Sequence, residues 1–438
     1  MFKTLVLLFS ASLILTACGG GGASTSVPVQ PQTGSFVAIN TNITANTYPG
    51  TYTQIQTLPV VDDTCLLSTT TVQYPASYQG AFPLPAVSGH MPATLQLGLT
   101  IKDSWLDPGS QKTPNNPGCN SDMHTAFVQT IQRIKALGGT YVTVPQYICI
   151  ASASTPGQDF SLFGRESIPA ADLTWMAQQA HAIGLNIRYK MQICTTDSVG
   201  QNLVITNNQW LSDLYTAYSN YMTSQAVILQ SSGYESMTLD WDDWTPDFTN
   251  FAGIREQSLV NLANKLRAIY SGKLVLEQSW VYSKSVTDSV DKIVVTIGSL
   301  VGRISSSDEQ NLSVAVLKPY YATTLHGAQN TYGTTKPIEI VAQVQSWNHT
   351  LSQGWVEDSG CWSLNCAATL TTDFSVQAIA YESMLETINE QQYVNVESFS
   401  INSYWLADNI QAHTTFPNIS QSIRNKPAES IVYQWFKK

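Results

Sequence analysis

From about residue 95 to the end of the chain, short apolar runs alternate with amphipathic stretches. The unit is clearest between Ser121 and Ile150. Ser121 is placed to cap a helix whose Phe127, Ile131 and Ile134 recur on one face, Gly138-Gly139 stop it, and the β-rich run Thr140 to Ile150 follows. In the next unit Leu173, Met176, Ala177, Ala180 and Ile183 form a helical stripe, Gly184 ends it, and Leu185 to Cys194 read as a strand. The pattern predicts eight strands, near 95–101, 140–149, 185–194, 236–242, 273–279, 292–298, 337–345 and 394–402. Helices fill the intervals, most clearly Gln209 to Leu229, Phe251 to Tyr270 and Phe374 to Asn389, and a last helix ends near Trp435. Eight such units predict an α/β fold, a (β/α)₈ TIM barrel over residues 93–438. A doubly wound open sheet is the alternative, but its glycine-rich phosphate loop after the first strand is not evident.

The segment before the barrel has a different character. Residues 1–17 carry one positive charge, Lys3, an apolar stretch from Leu5 to Leu15, and then Leu15-Thr16-Ala17-Cys18, which is the pattern of a secretory signal. Leu-Thr-Ala-Cys resembles the bacterial lipoprotein signal. That resemblance implies cleavage before Cys18, lipidation there, and a membrane partner reached through the lipid. Gly19 after the cysteine implies the outer membrane. Residues 18–34, rich in Gly, Ser, Thr, Pro and Gln, read as a flexible tether, and 35–92 as an irregular or β extension.

Setting Cys18 aside from the seven cysteines leaves Cys65, Cys119, Cys149, Cys194, Cys361 and Cys366, an even number that suggests disulfides in an exported chain. Cys361 and Cys366 are close enough to close one loop. Cys149 and Cys194 fall at strand ends and are expected to pair, which leaves Cys65 with Cys119. No C-x-x-C spacing or accompanying His pair points to zinc, and no metal or other cofactor is expected. Charged residues make up 12% of the chain and the net charge is −10, so no basic run is available to neutralise phosphates and nucleic acid is excluded as a partner.

Candidate chemistry gathers at the predicted strand ends. In a TIM barrel the active face lies where the strands end. Trp105 follows strand one, Trp241 and Trp244 end strand four, Trp280 follows strand five, Trp347, Trp355 and Trp362 follow strand seven, and Trp405 follows strand eight. Eight of the eleven tryptophans thus map to one end, which suggests a cleft that stacks sugar rings of a polysaccharide or oligosaccharide. At the same end lie Asp240, Asp242 and Asp243. On an extended strand Asp240 and Asp242 share a face with α-carbons about 6.5 Å apart, and carboxyls that close push one pKa up, so that one stays protonated while the other ionises. Glu277, ending strand five, could face the same cleft. Arg188 and Lys190, alternating on strand three, could add positive charge or hydroxyl-binding donors. The bland alternative for the aspartates is that they cap loops or face solvent.

Several segments are similar to clan A glycoside hydrolase barrels, particularly family 113. They are Ile134-Lys135-Ala136-Leu137-Gly138-Gly139-Thr140-Tyr141-Val142, Ala180-His181-Ala182-Ile183-Gly184-Leu185-Asn186-Ile187 through Lys190, Leu266 to Leu274, Lys336-Pro337-Ile338-Glu339-Ile340, and Asn425-Lys426-Pro427-Ala428-Glu429. The resemblance covers most of residues 95–436 and implies a barrel active on β-mannan. It also implies a catalytic Glu at the end of strand four, where this chain has Asp240, Asp242 and Asp243. A nucleophilic Glu is implied at the end of strand seven, where Gln343 and Gln345 stand instead; Glu339 is the nearest acid but lies early in that strand. Leu239-Asp240-Trp241-Asp242 also resembles the strand-four motif of family 18 chitinases, which implies substrate-assisted hydrolysis with Asp242 as proton donor. The combined expectation is a glycoside hydrolase with Asp240, Asp242 and Glu277 as catalytic candidates. Trp105, Lys190, Trp241, Trp244, Trp280, Gln343, Trp347 and Trp405 are the substrate-binding candidates. A glycan-binding or envelope-structural barrel without catalysis is the other class.

Overall fold

The computed structural model describes residues 89–101, 120–150, 168–195, 207–239, 252–277, 282–333, 335–354, 370, 373–391, 393, 395–404, 420–424 and 426–436, all within one compact unit, 33–438. Eight parallel strands close into a barrel in chain order: β1 (Gln96–Ile101), β2 (Tyr141–Ile150), β3 (Asn186–Thr195), β4 (Ser236–Thr238), β5 (Lys273–Glu277), β6 (Lys292–Ile297), β7 (Ile338–Ala342) and β8 (Val396–Tyr404). Closure is made by β8 pairing with β1, Gln96 opposite Ser398 and Leu99 opposite Ile401. This is the predicted (β/α)₈ barrel.

Helices α1 (Asn120–Ala136), α2 (Ala170–Ala182), α3 (Asn208–Ser232), α4 (Ala252–Arg267), α5 (Lys284–Ser289), α6 (Ser306–Gln310), α7 (Val314–Ala328), α8 (Thr350–Gln353), α9 (Phe374–Gln391) and α10 (Pro427–Phe436) occupy the intervals. Phe127, Ile131 and Ile134 of α1 are fully buried, as their spacing required. Ser121 lies inside α1 and not before it, because the helix starts one residue earlier. Gly138 and Gly184 end their helices with φ of +94° and +71°, backbone that an L side chain rarely adopts. Three strands differ most from expectation: β4 ends at Thr238, four residues early, β7 ends at Ala342, three residues early, and β8 runs on to Tyr404.

The barrel interior is polar and charged. Side chains on strands that are not neighbours meet there, and in a closed barrel such bonds must cross the inside. The Tyr141 hydroxyl on β2 donates to Glu339 on β7 at 2.8 Å. Arg188 on β3 donates to the same carboxylate at 2.7 Å, to Gln96 on β1 at 2.5 Å, and to Glu235 at 2.9 Å. Lys292 on β6 lies 3.4 Å from Glu339 and from the Ser398 hydroxyl. The Arg188 guanidinium also lies 3.4 Å from the Tyr141 ring centre, a cation–π contact. Gly98 makes room for that ring, since a Cβ there would fall 1.9 Å from it.

Charges this deep need compensation. Burial works to raise the Glu339 pKa, but Arg188, Lys292 and the Tyr141 hydroxyl outweigh it and hold the carboxyl below the ordinary value. Burial opposes the Arg188 charge too, and Glu339, Tyr141 and Glu235 more than restore it. Lys292 is pushed down by burial, with Glu339 resisting. The Tyr141 hydroxyl is pushed well up by burial and by Glu339, and stays protonated as a donor.

The C-terminal segment locks the outer layer. Arg133 of α1 grips Glu429 of α10 through two bonds of 2.8 and 2.6 Å, and Tyr404 at the end of β8 donates to the same carboxylate at 2.5 Å. Trp435 is buried with its indole N–H on Glu382 of α9 at 2.6 Å.

Cys149 and Cys194 are register partners on β2 and β3. That register is a relation of backbone; the side chains on which the expected Cys149–Cys194 disulfide depends lie outside those described. Cys18, Cys65, Cys119, Cys361 and Cys366 lie outside the described residues, as do the signal, the tether and residues 35–88 of the extension. Among the described residues no helix is long and apolar enough to cross a membrane.

Two outcomes are expected. Gly98→Ala overpacks the interior against Tyr141 and lowers unfolding free energy by about 1–3 kcal/mol or more, read as a lower denaturant midpoint at unchanged slope. Glu339→Gln leaves Arg188 and Lys292 without their shared counter-charge and costs about 3–5 kcal/mol near neutrality. Because the folded-state pKa of Glu339 is depressed, its contribution is fully present above the ordinary value of 4.5 and is lost as pH falls through the folded value. The parent's advantage over Glu339→Gln therefore shrinks in acid, and a constant difference across that range would remove this account.

Candidate active site

The strand C-termini define one mouth of the barrel, and β3 and β5 bring an ion pair to it. Arg188 and Lys190 are two residues apart on β3 and so face the same side. Arg188 enters the deep network, whereas Lys190 stands one step nearer the strand ends. Its ammonium donates to Glu277, the last residue of β5, at 2.8 Å. Both residues are buried, Glu277 at 2% exposure and Lys190 at 6%. The pair is a buried, charge-assisted hydrogen bond that fixes the Glu277 carboxyl in place at the mouth. The sequence placed both residues at this mouth without linking them. Strands β3 and β5 are separated by β4, and nothing in linear spacing shows a contact across 87 positions.

β4 is short: Ser236 and Met237 pair with both β3 and β5, and Thr238 with β5 alone. Its ladder with β5 runs one bond further, from the Leu239 N–H to the Val275 carbonyl at 2.8 Å. Thr238 is buried and its hydroxyl bonds the Tyr189 carbonyl at 3.3 Å. The acidic cluster begins at the next residue but one along the chain from Thr238, and Asp240, Trp241, Asp242, Asp243 and Trp244 lie outside the described residues. Trp105, Trp280, Trp355, Trp362 and Trp405 lie outside them as well.

Trp347 is described and is not a free platform. It is 3% exposed, packs into the main hydrophobic core, and donates its indole N–H to Gln345 at 3.0 Å. Glu339 is committed to the interior network, in keeping with its early place on β7. Gln343 sits just beyond β7, its N–H on the Ile297 carbonyl at 2.8 Å. Gly298, with φ of +148°, lets the two backbones touch: a Cβ there would meet the Gln343 carbonyl at 1.9 Å.

Beside that contact is a cavity of about 130 Å³ lined by Thr296, Gly298, Gln343, Gln345, Leu351 and Gln421, among others. It opens at the ends of β6 and β7, the same end of the barrel as Glu277. Sequence reasoning singled out Gln343 but not Thr296 or Gln421. Gln421 arrives from a segment after β8 and carries no local motif. Its place is set by neighbours: Gln377 donates to its carbonyl at 3.2 Å and Asn402 to its side-chain oxygen at 3.1 Å. Lys426 braces the same segment, donating to the Ser420 carbonyl at 2.9 Å and the Ser346 hydroxyl at 2.9 Å, and its burial pushes its pKa well down. Among the described residues no group of His, Cys, Asp and Glu could hold a metal ion.

No protein-family model matches the chain, and no curated protein matches it. Solved structures do. A complex of a GH113 β-1,4-mannanase is 16% identical over 78% of this chain and 98% of that one, with a TM-score of 0.53. A second GH113 β-1,4-mannanase structure is 15% identical over 79% and 99%, at 0.52. The GH113 β-mannanase AaManA from Alicyclobacillus acidocaldarius, in complex with ManMIm, is 14% identical over 77% and 96%, at 0.52. At these identities the likeness is one of fold: the chain is a closed eight-stranded parallel barrel of the kind found in GH113 β-mannanases.

Proposed function

We propose that this protein is a lipid-anchored glycoside hydrolase of the bacterial cell envelope that cleaves a polysaccharide in a Trp-lined cleft at the C-terminal mouth of the barrel. The observation that carries this is the buried Lys190–Glu277 pair, a carboxylate fixed in place at the end of β5 and on a mannanase-like barrel. Glycoside cleavage needs two carboxyls in different protonation states. Asp242 or Asp240, on the chain just past β4, supplies the acid: its proton goes to the glycosidic oxygen as the bond to the anomeric carbon breaks. Glu277 supplies the anion, either attacking the anomeric carbon or taking a proton from the water that adds there. Lys190 holds that anion in place, and the loop tryptophans hold sugar rings by their apolar faces.

One observation favours a second reading. The first residue beyond β7 is Gln343, an amide where the family 113 resemblance implies an acid, and this suits a barrel that binds glycan without cleaving it. The membrane attachment rests on Leu15-Thr16-Ala17-Cys18 and on the low-complexity tether after it.

With a polysaccharide panel, Asp242→Asn is expected to lower kcat by about 10²-fold or more, and Glu277→Gln by a similar factor, with both variants still binding glycan. Unchanged turnover in Asp242→Asn would take that residue out of the mechanism, and binding without turnover in the parent would establish the second reading. Cys18→Ser should move the protein from the detergent-extracted membrane fraction to the aqueous one; an unchanged partition would overturn the lipid anchor.

A further inference from the structure

The cavity at the ends of β6 and β7 has a wall chemistry that the proposed carboxyl pair does not use. Three of its lining residues are carboxamides, Gln343, Gln345 and Gln421. Thr296 and Thr350 add hydroxyls, and Ile297, Val344 and Leu351 add apolar surface. None of the described lining residues is charged. At about 130 Å³ the cavity has room for about four waters at liquid density, which suits a substituent the size of an acetamido group and not a whole sugar ring.

The amides differ in how far they are already engaged. The Gln345 side-chain oxygen accepts from Trp347, and the Gln421 side-chain oxygen accepts from Asn402, which leaves the Gln421 amide N–H groups unclaimed. The Gln343 side chain makes no hydrogen bond within the described structure, although its backbone is fixed between Ile297 and Gly298. A carboxamide offers a donor and an acceptor side by side, and its full complement is another amide. Sugar hydroxyls satisfy such a group in part. An acetamido group satisfies both halves, and its methyl needs an apolar neighbour of the kind Leu351 and Ile297 provide.

We propose that this cavity takes the acetamido group of a 2-acetamido sugar, with Gln343 pairing the acetamido N–H and carbonyl and the Gln421 amide donating to a ring hydroxyl. The proposal rests on the glycan reading above for the kind of molecule that enters the mouth, and adds which kind of sugar is selected. A uronate, sulfated or phosphorylated unit would meet no counter-charge in the described wall. A site built to bond an amide discriminates strongly against analogues that lack one, because its own buried polar groups are then left unmatched.

The test is binding measured by calorimetry on the full chain, with three oligosaccharides of equal length: N-acetylated, the same chain N-deacetylated, and one bearing only hydroxyls. The N-acetylated oligomer is expected to bind at least about tenfold more tightly than the other two, and Gln343→Leu to remove most of that preference. Equal affinities in the parent protein overturn the proposal, as does a preference that survives Gln343→Leu. The parent comparison decides even if the variant fails to fold. Hydrolysis is a separate readout: turnover without acetamido preference sinks this inference alone, and acetamido preference without turnover sinks the hydrolase reading alone.

Discussion

The fold depends on one carboxylate being held ionised where water does not reach. Glu339 on β7 accepts hydrogen bonds from a hydroxyl on β2, a guanidinium on β3 and an ammonium on β6, and so links four of the eight strands across the barrel interior. Apolar layers more commonly fill that space. Here the filling is a network of charge, and its geometry is constrained by bond direction as well as by volume. An apolar interior tolerates small shifts of strand against strand, whereas a shared carboxylate with 2.7 and 2.8 Å partners does not. The strands above it are thereby fixed in register, including the ends from which the candidate site is built.

That constraint separates two levels on β3. Arg188 is spent on the interior, and Lys190, two residues on, is left to position Glu277 at the mouth. One strand thus supplies charge at depth and charge at the rim. The same division holds on β7, where Glu339 is structural and Gln343, four residues later, borders open space.

Most of the barrel was legible in sequence because periodicity and glycine punctuation are local signals. Phe127, Ile131 and Ile134 with Gly138, and the Leu173 to Ile183 stripe with Gly184, placed their elements to within a residue or two. The early end of β7 was not legible, because β6 and β8 pair with it no further than Ala342, a limit set by partner strands distant in sequence. Partnerships were the least legible. Arg188 and Glu339 are 151 positions apart, and no linear pattern shows that an arginine on strand three meets an acid on strand seven. Trp347 looked like its neighbours in the loop series, yet it packs inward, since a large indole serves a core as readily as a cleft. Gln421 had no signal, because its position is created by Gln377 and Asn402 from other segments.

The grip of Arg133 on Glu429 joins positions 296 residues apart, and the pairing of β1 with β8 spans a comparable length of chain. The second closes the barrel and the first ties the helices outside it, and neither forms until the chain has run to β8 or beyond. Until β8 is made, β1 and β7 are bare edges, so closure is a slow and non-local late step in folding.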